Sequence, residues 1–289
     1  MKTKFVTAFY TDIKGFPFFG HEYYAREERY LHSLRVLNNM DAEIVCYCNE
    51  TELEKLTKHV NVFDLKNVSL KVSNLKDFPY SQRMEEIKNN TDGFKFYHEV
   101  DWNKIFLLQK EYDENYNYIY WIDVGLSHHG LFPNKYNPNS ELATGMSYDF
   151  NTYSFLNLFN NKLPNALNNF VSDRLINLSN ELKFHSTQDL NSVLQGNYDY
   201  KGLSVGGILG GHVSKLKWFI DRFFELGIKS LEQNFILNHE AIISFMVEEQ
   251  KENFKTFHFQ TWYHADTPNL DEHTKNKMIH FSHFFDTIL

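Results

Sequence analysis

117-NYIYWIDVGLSHHG-130 is the stretch on which the fold class depends. It begins as a run of large apolar residues and ends abruptly at an aspartate, which a glycine and two histidines follow. On a strand, successive side chains point to opposite faces. One face would carry Tyr118, Tyr120 and Ile122, and the other Ile119, Trp121 and Asp123. Because apolar residues occupy both faces, the stretch predicts a central strand of a mostly parallel sheet that is covered on both sides.

The aspartate at the end of this strand, Asp123, has two explanations. In open parallel sheets, ligands bind outside the carboxyl ends of the strands, and Asp123 would stand at such an end. An aspartate with a glycine two residues later is also ordinary turn chemistry. The choice between a functional carboxylate and a turn former depends on the rest of the chain.

Strands and helices alternate before this stretch. The sequence predicts strands at 5–11, 43–50 and 68–75, and helices at 22–39, 51–60 and 102–115. Thr51 and Glu54 have the spacing of a capping box at the start of the second helix. This alternation indicates right-handed βαβ units and therefore an α/β fold.

The second half of the chain has a different character. Residues 131–200 are rich in Asn, Ser and Leu, and they predict loops and irregular helices inserted over one face of the sheet. A glycine-flanked strand at 202–211 and helices at 213–228 and 239–250 follow. Because no internal repeat or linker divides these segments, the 289 residues predict a single domain.

Composition, charge and missing motifs exclude several classes of protein. A net charge of −8 predicts no nucleic-acid partner. No signal-peptide pattern and no run of about 18 apolar residues is present. Cys46 and Cys48 predict reduced core thiols in a cytoplasmic protein. The motifs G-x-G-x-x-G, G-x-x-x-x-G-K-[ST] and H-E-x-x-H are absent, which argues against dinucleotide, P-loop and zincin chemistry.

A family resemblance rests on two motifs. The strand that ends in WID, preceded by a helix with KIFLL, resembles the nucleotide-sugar site of GT-A-type glycosyltransferases. More narrowly, VTAFYTDIKG and WIDVGLS resemble the bacterial HtrL/YibB-like family. The resemblance implies one GT-A-like domain with a nucleotide-binding half at 1–130, an insertion on the acceptor side at 131–200, and a donor-sugar and acceptor half at 201–289.

The same resemblance implies a glycosyltransferase of hexosyltransferase type. It would move a sugar from a nucleotide sugar, in the first instance a UDP-sugar, to a glycan or lipid-linked glycan, as in cell-surface polysaccharide biosynthesis. A lipid-linked acceptor would bring the cytoplasmic protein to the inner face of the membrane. Two alternatives stay open: a catalytically inactive nucleotide- or glycan-binding relative, and a nucleotidyltransferase-like enzyme.

Metal binding is where the chain departs from the family pattern. GT-A enzymes usually carry D-x-D, which holds a divalent cation on the donor's diphosphate, whereas this chain has D-V-G and only Asp123 matches. The resemblance gives His280 or His283, in an I-H-F context, as the further ligand of Mn²⁺ or Mg²⁺. The stretch 277-KMIHFSHFF-285 also predicts an aromatic strand, and alternation on it could equally make both histidines filler among phenylalanines.

Two other segments fit the same site. Gly206 and Gly207 are similar to the glycine pair that lies under the donor sugar, although close helix–strand packing also demands glycine. Glu240, in the first turn of a predicted helix, is similar to the acid beside the anomeric carbon or the acceptor hydroxyl. A glutamate there also complements the helix dipole. The predicted catalytic residues are therefore Asp123 and Glu240.

Contacts to the nucleotide are implied at the first strand and before the strand that ends at Asp123. In the GT-A fold the base and ribose lie over the end of the first strand, which implies uridine contacts from Thr7, Ala8, Phe9 and Tyr10, with Asp12 beside them. The remaining candidates are Asn103 and Lys104 near the nucleotide, Arg83 at a phosphate, and His128 and His129 after the acid motif. A surface role is the alternative for each of them.

Overall fold

Eight strands form one sheet in the part of the chain that the computed structural model describes, which comprises residues 1–11, 30–31, 33–90, 98–124, 162–180, 203–259 and 288. The strands are β1 (Thr3–Phe9), β2 (Glu43–Cys48), β3 (Val68–Val72), β4 (Tyr118–Ile122), β5 (Leu175–Asn180), β6 (Leu203–Val205), β7 (Ile208–His212) and β8 (Phe254–Phe259). The helices are α1 (Glu50–Val62), α2 (Ser81–Asn90), α3 (His98–Lys110), α4 (Lys162–Val171), α5 (Val213–Glu232) and α6 (His239–Glu249). None of these helices combines the length and apolar character that a membrane crossing needs.

The sheet has the strand order β3-β2-β1-β4-β7-β5-β6, and β8 pairs with β5. β1 is parallel to β2 and β4, β2 is parallel to β3, and β5 is parallel to β8. β7 is antiparallel to both of its neighbours, β4 and β5, and β6 is antiparallel to β5. All of the described strands except β6 and β7 therefore point the same way, which confirms the predicted α/β class with a mostly parallel sheet.

Two hydrophobic layers cover the sheet, one on each face. α2, α3, α5 and α6 pack on the first face, and α1, α4 and the helical residues 33–37 pack on the second. β4 contributes to both layers with the predicted alternation. Its side chains Ile119 and Trp121 lie in the first layer, and Tyr118, Tyr120 and Ile122 lie in the second. All five residues are buried, as expected for a central strand between two layers of helices.

The carboxyl ends of β1 and β4 meet at a reversal of strand order. From β1 the sheet grows through β2 and β3 on one side, and then the chain returns to place β4 on the other side of β1. In open α/β sheets, the connections after two such strands leave in opposite directions and open a crevice, where ligands bind. Tyr10 and Thr11 follow β1 at this point, and Asp123 follows β4.

The prediction of loops and irregular helices at 131–200 includes residues 162–180, and it is wrong for the strand among them. They form α4 and then β5, a fully buried strand that pairs with three others. The polar residues of β5 suggested a loop, but its neighbours satisfy them. Asn177 donates from Nδ2 to Thr256 Oγ1 on β8 at 3.2 Å and accepts at Oδ1 from Ser204 on β6 at 2.7 Å. Residues 131–161 and 181–200 lie outside the described ranges.

The predicted strand at 202–211 is two strands, β6 and β7, separated by a turn at Gly206 and Gly207. The second glycine pair lies inside β7, and both residues have positive φ, 104° at Gly210 and 144° at Gly211. A Cβ on Gly210 would lie 2.3 Å from the carbonyl oxygen of Ile119, and one on Gly211 would lie 2.5 Å from that of Arg174. The second pair is therefore required by the close approach of β7 to the strands on either side.

The start of α1 differs from the predicted capping box. The helix follows Asn49, whose N–H donates to Glu52 Oε2 at 3.0 Å, so the box lies two residues before Thr51 and Glu54. Glu52 is buried and also accepts hydrogen bonds from the N–H and, at 2.6 Å, from the hydroxyl of Thr11. The same carboxylate thus begins the helix and holds the chain as it leaves β1.

Cys46 and Cys48 are buried, unpaired thiols on the same face of β2, as predicted. Burial raises the pKa of both thiols, that of Cys48 to about 11. Both side chains are therefore neutral at pH 7 and belong to the second hydrophobic layer.

Candidate functional site

Asp123 is held on three sides where β4 ends. Its backbone N–H donates to the carbonyl of Gly207 at 2.9 Å. Its Oδ1 accepts from Trp121 Nε1 at 2.6 Å and lies 3.1 Å from Lys104 Nζ. The side chain is 24% exposed, so the carboxylate lies at the crevice rather than within a hydrophobic layer. Asp123 therefore contacts three elements: its backbone N–H binds the turn at Gly207, and its carboxylate binds Trp121 of β4 and Lys104 of α3.

Lys104, a predicted nucleotide contact on α3, is the centre of the cluster. Its side chain is 10% exposed, and Nζ also lies 3.3 Å from the carbonyl oxygen of Gly206 and 3.6 Å from Asp101 Oδ1. Burial works against the charged form, but the charges of Asp123, Asp101 and Glu240 outweigh it and raise the pKa of Lys104 above its ordinary value. The site therefore contains a buried ammonium surrounded by carboxylates.

Three consecutive residues of α3 attach the helix to different parts of the molecule. Trp102 donates from Nε1 to the carbonyl of Leu237, just before α6, at 2.9 Å. Asn103 donates from Nδ2 to Tyr10 Oη, just after β1, at 3.1 Å. Lys104 pairs with the acid after β4. The sequence 101-DWNK-104 therefore joins the ends of both strands of the crevice to the first turn of α6.

Asp101 and His239 were not predicted, although they adjoin the cluster. Asp101 lies one helical turn before Lys104, and its Oδ2 is 3.3 Å from His239 Nδ1. The geometry of that contact is not that of a hydrogen bond, and among the described residues neither ring nitrogen of His239 makes one. Asp101 and Lys104 have i,i+3 spacing at the start of the helix, which begins at His98 rather than at the predicted 102, and this spacing is the signal that could have indicated the acid. No local signal indicated the histidine.

Gly206 packs against His239. A Cβ on Gly206 would lie 2.0 Å from His239 Nε2, so any other residue would collide with the imidazole. This close contact between a turn and a helix is the alternative explanation for a glycine here, in place of room for a sugar. Gly207 contributes its carbonyl to Asp123. Both glycines of the predicted pair thus lie at the cluster, and the contacts that explain them are internal.

Glu240 occupies the first turn of α6. The helix is capped by Asn238, whose Oδ1 accepts from the N–H of Glu240 at 2.8 Å. The glutamate is partly exposed, and its charge contributes to the raised pKa of Lys104. Asp123, Lys104, Gly206, Gly207 and Glu240, which come from distant parts of the chain, are therefore brought together.

The side chains predicted to contact a uridine are engaged in the interior. Thr7 and Phe9 are fully buried and Ala8 nearly so, because β1 is covered on both faces. Tyr10 donates from Oη to the carbonyl of Ser73 at 2.9 Å, in addition to its bond from Asn103. Burial raises the pKa of Tyr10 above its ordinary value, so the phenol stays protonated. In this conformation the four side chains do not face the crevice, contrary to what the resemblance implied.

The other predicted contacts are elsewhere. Arg83 donates from Nη2 to the carbonyl of Leu231 at 3.1 Å and to Asn234 Oδ1 at 2.6 Å, so it binds the end of α5 rather than the crevice. The remaining candidates lie outside the described ranges: Asp12, His128, His129, His280 and His283.

The described residues do not fit a divalent cation at Asp123. Within the described ranges, no three side chains of the His, Cys, Asp and Glu types are grouped so that they could hold a metal ion. The carboxylate of Asp123 is already paired with the ammonium of Lys104 and accepts from Trp121. A ligand role for His280 or His283 stays a prediction.

No protein-family model and no curated protein matches the chain. Among solved structures, mouse xyloside xylosyltransferase 1 in its apo form is similar with a TM-score of 0.46 at 8% identity, covering 89% of this chain and 85% of that one. The 4-diphosphocytidyl-2C-methyl-D-erythritol synthase of Anaerococcus prevotii DSM 20548 is similar with a TM-score of 0.43 at 8% identity, covering 94% and 92%. Such similarities concern the arrangement of helices and strands, and membership of the HtrL/YibB-like family stays a prediction.

Proposed function

We propose that the protein is a glycosyltransferase that moves a sugar from a nucleotide-sugar donor, first of all a UDP-sugar, to a glycan or lipid-linked glycan. The observation that carries the proposal is the position of Asp123, at the carboxyl end of β4 beside the reversal of strand order. Support comes from the residues that surround it. The family resemblance associates Gly206, Gly207 and Glu240 with the donor sugar and the reacting carbon. Gly206 and Glu240 adjoin the ammonium of Lys104, and Gly207 accepts a hydrogen bond from the N–H of Asp123.

Glu240 is the proposed base of the reaction. In glycosyl transfer, the bond between the sugar's anomeric carbon and the phosphate oxygen breaks, the acceptor oxygen bonds to that carbon, and a nucleoside diphosphate leaves. The acceptor hydroxyl loses a proton, which a carboxylate at the rim of the crevice can take. Glu240 is partly exposed and lies in the first turn of α6.

Asp123 and Lys104 have an organising role in this proposal. Asp123 holds the crevice end of β4 to the turn at Gly207, and Lys104 holds α3 and the turn at Gly206 to Asp123. Divalent-metal assistance by Mn²⁺ or Mg²⁺ would need ligands beyond the described ranges, for which His280 and His283 are the candidates.

The test is donor hydrolysis or transfer with a panel of nucleotide sugars, measured as release of nucleoside diphosphate. We expect Asp123→Asn to lower turnover by about 100-fold or more, because preorganised charged groups at reacting centres commonly contribute that much. Asp221→Asn is the matched control, since Asp221 is an exposed acid on α5 paired with Lys217. Thermal melting of each variant separates loss of activity from loss of fold.

Two results would count against the proposal. If the protein binds no nucleotide sugar, the proposed function is wrong. If Asp123→Asn retains full turnover, the assignment of Asp123 to the site is wrong. Glu240→Gln tests the base separately: loss of transfer with retained donor binding is the expected result.

An inactive nucleotide- or glycan-binding relative is the second candidate, and one observation favours it. The carboxylate of Asp123 is paired with a buried ammonium, which leaves less negative charge for catalysis than a free acid would supply. Binding of a nucleotide sugar without release of nucleoside diphosphate, with every acceptor tried, would support this candidate. Release of pyrophosphate from a nucleoside triphosphate and a sugar phosphate would instead indicate nucleotidyl transfer.

A further inference from the structure

Four oxygen atoms surround the ammonium of Lys104. They are Asp123 Oδ1 at 3.1 Å, Asp123 Oδ2 at 3.3 Å, the carbonyl oxygen of Gly206 at 3.3 Å and Asp101 Oδ1 at 3.6 Å. Carboxylate and carbonyl oxygens are the ligands that hard divalent cations prefer. The crevice thus contains an oxygen set of the kind that holds a metal ion, and a lysine fills it.

The dimensions of this oxygen set match an ammonium. Mg²⁺ binds oxygen at about 2.0–2.1 Å and Ca²⁺ at about 2.3–2.6 Å, whereas a charged N–H to oxygen contact is about 2.7–2.9 Å or longer. All four distances around Nζ exceed 3.0 Å. A divalent cation would therefore require both the removal of Nζ and the contraction of oxygens that belong to α3, β4 and the turn after β6.

Removal of Nζ is opposed by the packing of α3. Lys104 lies between Asn103 and Ile105, and all three residues are buried. Its side chain cannot leave the oxygen set without losing the ion pair with Asp123 and the contact with the Gly206 carbonyl. The departure would also leave Asp101 and Asp123 facing each other as like charges until another cation arrived.

We propose that the ammonium of Lys104 is the resident cation of this site, and that Asp101, Asp123 and the Gly206 carbonyl do not bind a divalent metal ion. The inference deepens the proposed function because it concerns the same carboxylate. It implies that a nucleotide donor binds without a metal ion at Asp123. It does not depend on which sugar or acceptor is used.

The decisive measurement is the binding of Mn²⁺ to the protein without nucleotide. Binding is detected as a decrease in the electron paramagnetic resonance signal of free Mn²⁺. We expect the wild type, Asp123→Asn and the control Asp221→Asn to bind Mn²⁺ equally weakly or not at all. Mn²⁺ that binds the wild type and the control but is lost in Asp123→Asn would overturn the proposal. Mn²⁺ that binds all three equally would occupy some other site and would support it.

A second measurement examines the oxygen set itself. Lys104→Met removes the ammonium and retains the four oxygens, so this variant should melt at a lower temperature than the wild type. Mn²⁺ at millimolar concentration should then raise its melting temperature, and Lys104→Met/Asp123→Asn should lose that response. If Lys104→Met folds and Mn²⁺ does not raise its melting temperature, the assignment of these oxygens as a cation set is contradicted. If Lys104→Met does not fold, the wild-type titration still decides.

The inference can fail independently of the proposed function. Neither measurement uses a nucleotide sugar, so an inactive protein could still confirm a lysine-filled site. If turnover is found, it should persist in excess EDTA unless ligands other than Asp101, Asp123 and the Gly206 carbonyl hold a metal ion. The opposite result has two parts: EDTA abolishes turnover of the wild type and Mn²⁺ restores it, and Mn²⁺ binding depends on Asp123. Together they would overturn this inference and leave the glycosyltransferase proposal standing.

Discussion

Gly206 has no side chain, and this allows the turn after β6 to approach α6. The ring of His239 fills the space where a Cβ would be, and its Nε2 would lie 2.0 Å from that atom. Because the ring is buried, it has no free volume into which to move. The glycine is thus explained by an internal contact, whatever ligand the crevice holds.

We expect Gly206→Ala to lower the free energy of unfolding by about 1–3 kcal/mol, the usual cost of overpacking a closely packed site. Urea denaturation of Gly206→Ala, His239→Ala and the double variant would measure this cost. If the collision with the ring is the cause, the alanine at 206 should cost much less in the His239→Ala background. An equal cost in both backgrounds would point to a backbone effect and contradict this explanation.

Individual elements differ in how far the sequence predicts them. The prediction of β4 is confirmed, because a short unbroken apolar run that is rich in aromatic and β-branched residues is typical of a strand buried on both faces. β5 was missed, because the partners of its polar residues lie on β6 and β8, which no local pattern reveals. The predicted capping box of α1, Thr51 and Glu54, lies two residues too late, because Asn49 and Glu52 have the same spacing and form the box instead.

The contact between α3 and α5 allows a test at the scale of elements. Gly227 on α5 faces Trp102 on α3, and a Cβ on Gly227 would lie 2.3 Å from Trp102 Cη2. Alanine is a better helix former than glycine by about 1 kcal/mol, whereas overpacking costs about 1–3 kcal/mol. We therefore expect Gly227→Ala to destabilise the protein in spite of its helix propensity.

Thermal melting of Gly227→Ala in the wild-type and Trp102→Phe backgrounds measures this competition. The smaller ring should relieve the collision, so in that background Gly227→Ala should be neutral or stabilising. A stabilising effect in the wild type would show that α5 shifts away from α3 without cost.

The candidate site depends on contacts across the whole molecule. Lys104 and Gly206 are 102 positions apart, and Trp102 and Leu237 are 135 apart. The family resemblance suggests Asp123, Lys104, Gly206, Gly207 and Glu240 one by one, but no sequence pattern states that they belong to one cluster. The same limit explains why Thr7 and Phe9 were expected at the crevice, since their depth depends on helices contributed by distant segments.

Glu111, directly after α3, ties this helix to three strands of the sheet. It pairs with Lys4 of β1 at 3.0 Å and Lys71 of β3 at 2.5 Å, and accepts from Tyr47 of β2 at 2.5 Å. Burial alone would raise the pKa of Glu111, but the hydrogen bonds from Lys71, Tyr47 and Lys4 lower it below its ordinary value. The stabilisation it contributes is therefore present above the unfolded pKa of about 4.3 and is lost as pH falls through the lower folded pKa.

Glu111→Gln should lower the free energy of unfolding at pH 7 by about 3 kcal/mol, because Lys4 would stay buried without its partner. The variant should also lose less stability than the wild type as pH falls below about 4. Urea denaturation between pH 3 and pH 7 measures both effects. Glu225→Gln is the control, because Glu225 is an exposed side chain of α5 whose replacement should change stability little at pH 7. Parallel pH profiles for Glu111→Gln and the wild type would contradict the assignment.

The attachments of α3 through Trp102, Asn103 and Lys104 have a mechanical consequence. Contacts from three consecutive residues to three separate parts of the molecule oppose both sliding of α3 along its axis and rotation about it. The helix therefore has no rigid-body freedom that would withdraw one of these side chains and leave the other two in place. The position of the ammonium is consequently set by the core that anchors its two neighbours, and a ligand in the crevice meets a charge whose place is already fixed.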